Sequence, residues 1–325
     1  MTLLSHASGS YRWASTKLIS GGMTGRPSHT APSGMHDDHD DILLRWSLGI
    51  LGAYLTVMLV PICVWTRHSG SATALLLHMA AIVLVVLAYR GNLPAAARFW
   101  SPLALGPFLY IELRWLIAGA GRPHADAVVA LWEASAFPMD PSRTLATALP
   151  SVTLSELLHA AYLSYYALIF VPPALLWWKG RRAAFSATLL ALAVVYAACF
   201  TIYVIFPVDG PRFLHGPSAA PDGPVRSLVL SLLASGSSRG TAFPSSHVAA
   251  SLVAAICALR FQRRLGIVVA LLTIGVCLGA VYGGYHYGVD ILAGLLTGTA
   301  ATAVSFAIEA RAEFVSSEPS APAGP

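Results

Sequence analysis

Charge is scarce in this sequence. Only 11% of the residues are Asp, Glu, Lys or Arg, 56% are hydrophobic, and the mean hydropathy is +0.66. A soluble domain carries about 25% charged residues, so the composition excludes an ordinary water-soluble enzyme and points to a polytopic membrane protein. Cysteine is scarce as well, and Cys63, Cys199, Cys257 and Cys277 all fall inside apolar runs. That excludes a disulfide framework and reads as burial of small hydrophobes. No internal repeat is present, and no acidic residue precedes Asp37. The net charge of +5 and pI near 9.1 do not indicate a nucleic-acid partner, because the Lys and Arg residues cluster at the ends of apolar runs, as membrane orientation requires.

Residues 1–41 are rich in Ser, Gly, Thr and His and end in His36-Asp37-Asp38-His39-Asp40-Asp41. The composition reads as a solvated, disordered tail rather than a metal site. Arg12, Lys17 and Arg26 give it a loose likeness to a targeting peptide, and a start at Met23 or Met35 explains it equally well. Beyond it, eight segments are apolar enough to be candidate spans: 42–65, 72–89, 99–118, 156–178, 183–206, 246–262, 265–283 and 286–308. The expected fold is therefore an all-α, polytopic membrane helical bundle of about eight transmembrane helices.

The short loops give the orientation. Arg90 and Arg98, then Lys179, Arg181 and Arg182, then Arg260, Arg263 and Arg264 all fall on one side of the eight-helix path. The positive-inside rule makes that side cytoplasmic, with both termini. The opposite side carries the 207–245 connection and the turn at 282–286. The 119–155 connection contains Ala125–Glu133, which suits either a helix lying on the membrane surface with Trp132 at the interface or a plain covering loop.

Two histidine clusters stand at that outer boundary. In Phe243-Pro244-Ser245-Ser246-His247, Pro and two Ser mark the start of the sixth helix, where free amides and a positive dipole suit an anion such as phosphate. In Tyr282-Gly283-Gly284-Tyr285-His286-Tyr287-Gly288-Val289-Asp290, His286 and Asp290 are four apart and share a helix face. The carboxylate can accept a proton from one imidazole nitrogen and leave the other free as a nucleophile. An ionisable group one turn inside an apolar helix is functional by default.

Phe-Pro-Ser-x-His followed by Tyr-x-x-x-His-Tyr-x-x-Asp resembles the type 2 phosphatidic acid phosphatase superfamily, and most closely its branch of inositolphosphorylceramide synthases and related lipid phosphotransferases. The run Tyr203–Arg212 is similar to that branch's first motif, and Glu156–Tyr166 to its fourth helix. The resemblance covers about 99–308. It implies a division into a disordered tail (1–41), two additional helices (42–98), a six-helix catalytic core (99–310) and a disordered C-terminal tail (311–325). It also implies two-step phosphoryl transfer with neither metal nor cofactor, acting on a membrane lipid, with water or an alcohol such as inositol as acceptor. His286 would be the nucleophile, Asp290 its orienting carboxylate and His247 the acid and base. Arg212, Ser245 and the amides around Ser246 would hold the phosphoryl oxygens. The setting would be a bacterial plasma membrane with the site facing outward.

Two cations of the family pattern are missing. Ala280 stands six residues before His286, where many relatives have Arg, and Ile205 stands seven before Arg212, where they have Lys. Arg239, eight before His247, is the candidate substitute. Tyr282 is either a hydrogen-bonding site residue or an interfacial aromatic. Glu156 and His159 either contact an acceptor headgroup or make structural hydrogen bonds. Glu112 and Arg114 do not share a helix face, so each needs another partner. Two other readings fit the same residues: a catalytically silent relative that binds or moves lipid, and a metal-dependent hydrolase using His247, His286 and Asp290 as ligands.

Overall fold

The computed structural model describes residues 34–317. Among these residues thirteen helices follow one another: α1 (Gly34–Ser69), α2 (Thr73–Tyr89), α3 (Ala95–Ala120), α4 (Asp126–Ala136), α5 (Pro141–Ala148), α6 (Val152–Leu163), α7 (Tyr165–Trp178), α8 (Arg182–Ile205), α9 (Pro211–His215), α10 (Pro224–Gly236), α11 (Ser246–Phe261), α12 (Arg263–Tyr282) and α13 (Gly288–Ser317). The one β pairing among the described residues is an isolated parallel bridge between Val208 and Thr241. The expected all-α membrane bundle is what the chain forms.

Every one of the eight apolar segments is helical, but they differ in reach. Five helices (α1, α3, α8, α12 and α13) are long and apolar enough to cross a membrane. The pair α6 and α7 makes a sixth span if its 44° bend is counted as one crossing. The remaining two, α2 and α11, have 17 and 16 residues, short of the roughly 20 that a 30 Å hydrocarbon layer takes. The tail expected over 1–41 falls outside the described residues up to residue 33, and α1 begins at Gly34 rather than at 42. At the other end α13 runs on to Ser317, past 310, and residues 318–325 lie outside the described part.

One apolar core joins nearly all of these helices, from Leu48 and Leu55 of α1 and Leu113 of α3 to Phe185 and Phe200 of α8, Val253 of α11 and Val276 of α12. The centre is α8, buried on almost every face, as a helix that is apolar all round must be. Without a hydrophobic drive between helices in lipid, close approach carries the packing. Gly294 and Gly298 supply it between α13 and α11: a Cβ on either would come within 2.7 Å of the Ser245 or Ala249 carbonyl.

One buried charged pair inside the bundle ties three helices together. Glu112 finds its partner in His78 of α2, at 2.5 Å, and the other ring nitrogen of His78 lies 2.9 Å from the Leu55 carbonyl. Both side chains are fully buried, so the pair ties α1, α2 and α3 together. Arg114 faces another way and donates its Nε to the Ile111 carbonyl.

Candidate active site

The site is assembled where α8, α11 and α13 end on the same side of the bundle. Phe206 ends α8, and Val208 then pairs with the segment before α11: its amide donates to the Gly240 carbonyl at 3.2 Å, and its carbonyl accepts from Ala242 at 2.8 Å. The Ser245 amide donates to the Asp290 carbonyl at 3.0 Å, which fixes the start of α11 against the start of α13. These backbone bonds bring three distant sequence segments into one place.

Four of the anticipated residues line one small pocket of about 30 Å³: Arg212, Ser246, His247 and His286. The two imidazole rings have centroids 6.2 Å apart. His247 is held between Tyr162, stacked at 5.0 Å, and Tyr165, at 4.3 Å. His286 sits in the turn before α13, with its Nδ1 at 3.0 Å from the Ala242 carbonyl and 3.4 Å from the Asp290 carboxylate. A carbonyl can only accept, so Nδ1 carries the proton and Nε2 keeps its lone pair. The tautomer is thus the one anticipated, with the Ala242 carbonyl as the nearer acceptor in place of Asp290. Burial pushes the His286 pKa down to about 4, and the Arg212 charge acts in the same direction. The Ala242 hydrogen bond opposes them. The ring is neutral at pH 7.

Asp290 is wholly buried behind this turn, and its Oδ2 accepts the Tyr287 amide at 2.8 Å. Arg212 reaches the pocket from α9 and donates to the Ser237 hydroxyl at 2.6 Å. The other anticipated residues take different places. Ser245 is the N-cap of α11, accepting the Val248 amide at 3.4 Å; it is fully buried and outside the pocket lining. The Ser246 amide is not free, because it donates to the Tyr203 hydroxyl at 3.0 Å, and that hydroxyl donates to the Pro244 carbonyl at 2.8 Å. Arg239 points away and forms an ion pair with Asp209. Tyr282 is fully buried and donates to the Leu149 carbonyl at 2.9 Å, so it is neither in the pocket nor an interfacial aromatic. Glu156 accepts the Val225 and Arg226 amides at 2.8 and 3.0 Å, capping α10, while His159 holds the Ser155 carbonyl at 2.6 Å. Both do structural work, because an N-terminal turn has orphan amides that a carboxylate satisfies best.

The sequence reading passed over a second set of acids. Glu133 of α4 accepts the amides of Gly288 and Val289, each at 2.9 Å, and so caps α13 directly after His286. Burial raises its carboxyl above the ordinary range, against the pull of these two bonds. Asp126, two turns earlier on the same helix, accepts the amides of Asp209 and Gly210 and shapes the loop that delivers Arg212. The seven-residue spacing of Asp126 and Glu133 on an amphipathic helix was the available signal. Asp209 itself accepts from Gly240 and Arg239 and lies 2.9 Å from His124.

Ligand atoms of His124, Asp126 and Asp209 lie within 4.8 Å of one another, the spacing of a metal-binding group. Their oxygens are already taken by backbone amides and by Arg239, so the cluster serves as a polar knot between α4 and the two loops. Beside this small pocket, and sharing Tyr110, Ser246 and His247 with it, lies an apolar chamber of about 190 Å³ walled by Tyr165, Tyr166, Phe200 and Leu232.

A family model described as the PAP2 superfamily matches residues 126–304, more than half of the chain, from the first residue of α4 into α13. No curated protein and no solved structure matches the chain.

Proposed function

The chain belongs to the PAP2 superfamily, and on that premise we propose that it is an integral-membrane enzyme that transfers phosphoryl groups from lipid phosphates or phospholipid headgroups through a phosphohistidine. Membership by itself suggests phosphatase or phosphotransferase chemistry. The observation that carries the finer reading is the convergence of Arg212, His247 and His286 on one pocket that opens into an apolar chamber. A polar pocket with an apolar annex suits a phosphate attached to a lipid chain.

In the proposed cycle the neutral Nε2 of His286 attacks phosphorus while the bond to the leaving oxygen breaks, and His247 gives that oxygen a proton. His247 then takes a proton from water or from an alcohol such as inositol. The resulting oxygen attacks phosphorus, and the P–N bond breaks to restore His286. Phosphorylation makes the imidazole cationic, and the Asp290 carboxylate at 3.4 Å stabilises that charge. Arg212 and Ser246 face the phosphoryl oxygens. Ser245 supports them as the cap of α11, and Arg239 supports them through Asp209.

The branch of inositolphosphorylceramide synthases remains the finer family reading, on the two histidine motifs. Six core helices over 99–310, with α1 and α2 as an addition, complete it. The site is proposed to face outward from a bacterial plasma membrane with both termini cytoplasmic. In support, α8, α11 and α12 each have the pocket or its loops at one end and Arg181, Arg182, Arg260, Arg263 or Arg264 at the other. A silent lipid-binding relative is the second reading, favoured by Ala280 and Ile205 at the expected cation positions.

Purified protein tested for phosphate release from lipid phosphates, and for headgroup exchange with inositol, separates the readings. Turnover that resists EDTA, is inhibited by orthovanadate and disappears in folded His286→Ala is expected. Full activity in that variant, or no product from the wild-type protein, sinks the proposal.

A further inference from the structure

A third cavity, of about 950 Å³, shares Asp209, Ser237 and Ser238 with the pocket that holds the two histidines. The three spaces adjoin one another, and Ser237 lines all of them. Arg114, Arg122 and Arg239 line the third, with His124, against Asp209 as its one carboxylate. That carboxylate is already held by Arg239, by the Gly240 amide at 2.9 Å and by His124 at 2.9 Å. Arg114 spends only its Nε, on the Ile111 carbonyl, and Arg122 makes no hydrogen bond or ion pair among the described residues. Two guanidinium ends are therefore available and uncompensated.

A second observation is independent of the charge. Ser238, in the wall between the catalytic pocket and this vestibule, is only 6% exposed, and its hydroxyl has no partner among the described residues. A buried hydroxyl without a partner needs an explanation, and Ser238 lines two cavities in which a ligand oxygen can supply the partner. Guanidinium groups beside a hydroxyl match the geometry of phosphate oxygens. Metal cations are a poor fit, because the lining carries three arginines and the Asp209 oxygens are already held by Arg239 and the Gly240 amide.

We infer that this vestibule binds a phosphate group other than the one being transferred, held by Arg114 and Arg122 with Ser238 at the inner wall. That second phosphate belongs either to the headgroup of the lipid itself or to a phosphorylated, water-soluble acceptor. The binding claim stands on the cavity alone; only its link to turnover rests on the proposed phosphoryl transfer.

The test uses the full chain in detergent with the catalytic pocket disabled by His286→Ala and Arg212→Gln, titrated calorimetrically with inorganic pyrophosphate and with glycerol 3-phosphate at low ionic strength. Binding should persist in that background and weaken about tenfold, the size of one charged hydrogen bond, when Arg114→Gln and Arg122→Gln are added. Both arginines are exposed, and gel-filtration behaviour checks the fold. Binding that vanishes with Arg212→Gln, or that Arg114→Gln and Arg122→Gln leave unchanged, overturns the inference. In the active protein the same two substitutions distinguish the sources. A KM raised for a lipid with two phosphates but not one assigns the site to the headgroup. A KM raised for transfer to glycerol 3-phosphate but not glycerol assigns it to the acceptor. Unchanged KM values throughout overturn it. If the wild-type protein turns over no substrate, phosphoryl transfer fails and the titration still decides the vestibule.

Discussion

Glu133 offers the sharpest test of how this site is held together, because it touches no anticipated catalytic atom. Its two oxygens accept the Gly288 and Val289 amides at 2.9 Å each, in a position that is 2% exposed. Glu133→Ala leaves both amides without an acceptor in a buried place. Each costs about 1–3 kcal/mol, so the substitution should destabilise the protein by about 2–6 kcal/mol. Glu133→Gln keeps one acceptor oxygen and removes the charge, whose burial is itself costly, so its loss should be well under half of that. Activity should fall further than stability requires. The amides belong to the residues that open α13 immediately after His286, and a displacement of about 1 Å at a reacting group can cost about a hundredfold in rate. Gly288→Ala attacks the same tie from the other side, since its Cβ would sit 2.6 Å from the Phe137 ring and 3.1 Å from Glu133 Oε1. Unfolding in mixed micelles with increasing SDS gives the stability, and phosphate release gives the rate. If Glu133→Ala matches the wild type in both, the capping argument is wrong and α13 is positioned by its apolar packing alone.

Two further outcomes follow from buried ionisable groups. His286 has a folded pKa of about 4 against an ordinary 6.5. Below pH 6.5 the unfolded chain binds a proton that the folded chain refuses, so this group's share of stability is whole above that pH and is lost as pH falls toward about 4. Arg212 helps to depress that pKa, so Arg212→Gln should move the acid limb of kcat/KM to higher pH as well as lowering its plateau; a limb that stays fixed refutes the coupling. In the bundle, His78→Ala strands Glu112 and should cost about 3–5 kcal/mol, measured in the same SDS titration. Replacing both by Leu should recover most of it, and a single variant as stable as the wild type would show that the pair carries no weight.

What was legible in the sequence follows from how local each signal is. Apolar length marked eight segments that are all helical, though only five of the helices are each long and apolar enough to cross a membrane and 156–178 is split into α6 and α7; Pro244 with Ser245 marked the start of α11 because capping acts within one turn. The His286 tautomer was legible too, but for a different reason: Asp290 is one turn away in sequence, whereas the Ala242 carbonyl that takes the proton is 44 residues away. Backbone acceptors supplied by tertiary contact leave no mark on composition or spacing. The same holds for Arg239 and Glu156. As isolated charges they looked available for a ligand, and only the fold brings Asp209 to one and the α10 amides to the other. Glu133 and Asp126 were obscured in the opposite sense, since an acid on a surface helix looks solvated until the ends of α13 and the Asp209 loop close over it.

The missing cations can be argued from the same geometry. Ala280 is fully buried, and its carbonyl accepts both the Tyr285 and the His286 amides, at 2.9 and 3.2 Å. That position shapes the backbone of the turn that carries His286, and its side chain is buried in the apolar core. Ile205, at the other position, is 57% exposed on the outer end of α8 rather than turned to the pocket. Among the described residues Arg212 is the one arginine lining the candidate pocket, while Arg114, Arg122 and Arg239 line the neighbouring cavity. A pocket with a single guanidinium discriminates weakly among phosphates by charge, so selection must come from what flanks it. On the proposed function, the apolar chamber would read the lipid chain and the cationic vestibule the polar substituent. Enlarging the chamber with Tyr166→Ala should accordingly change which lipid chain is preferred and leave the response to a second phosphate where it was.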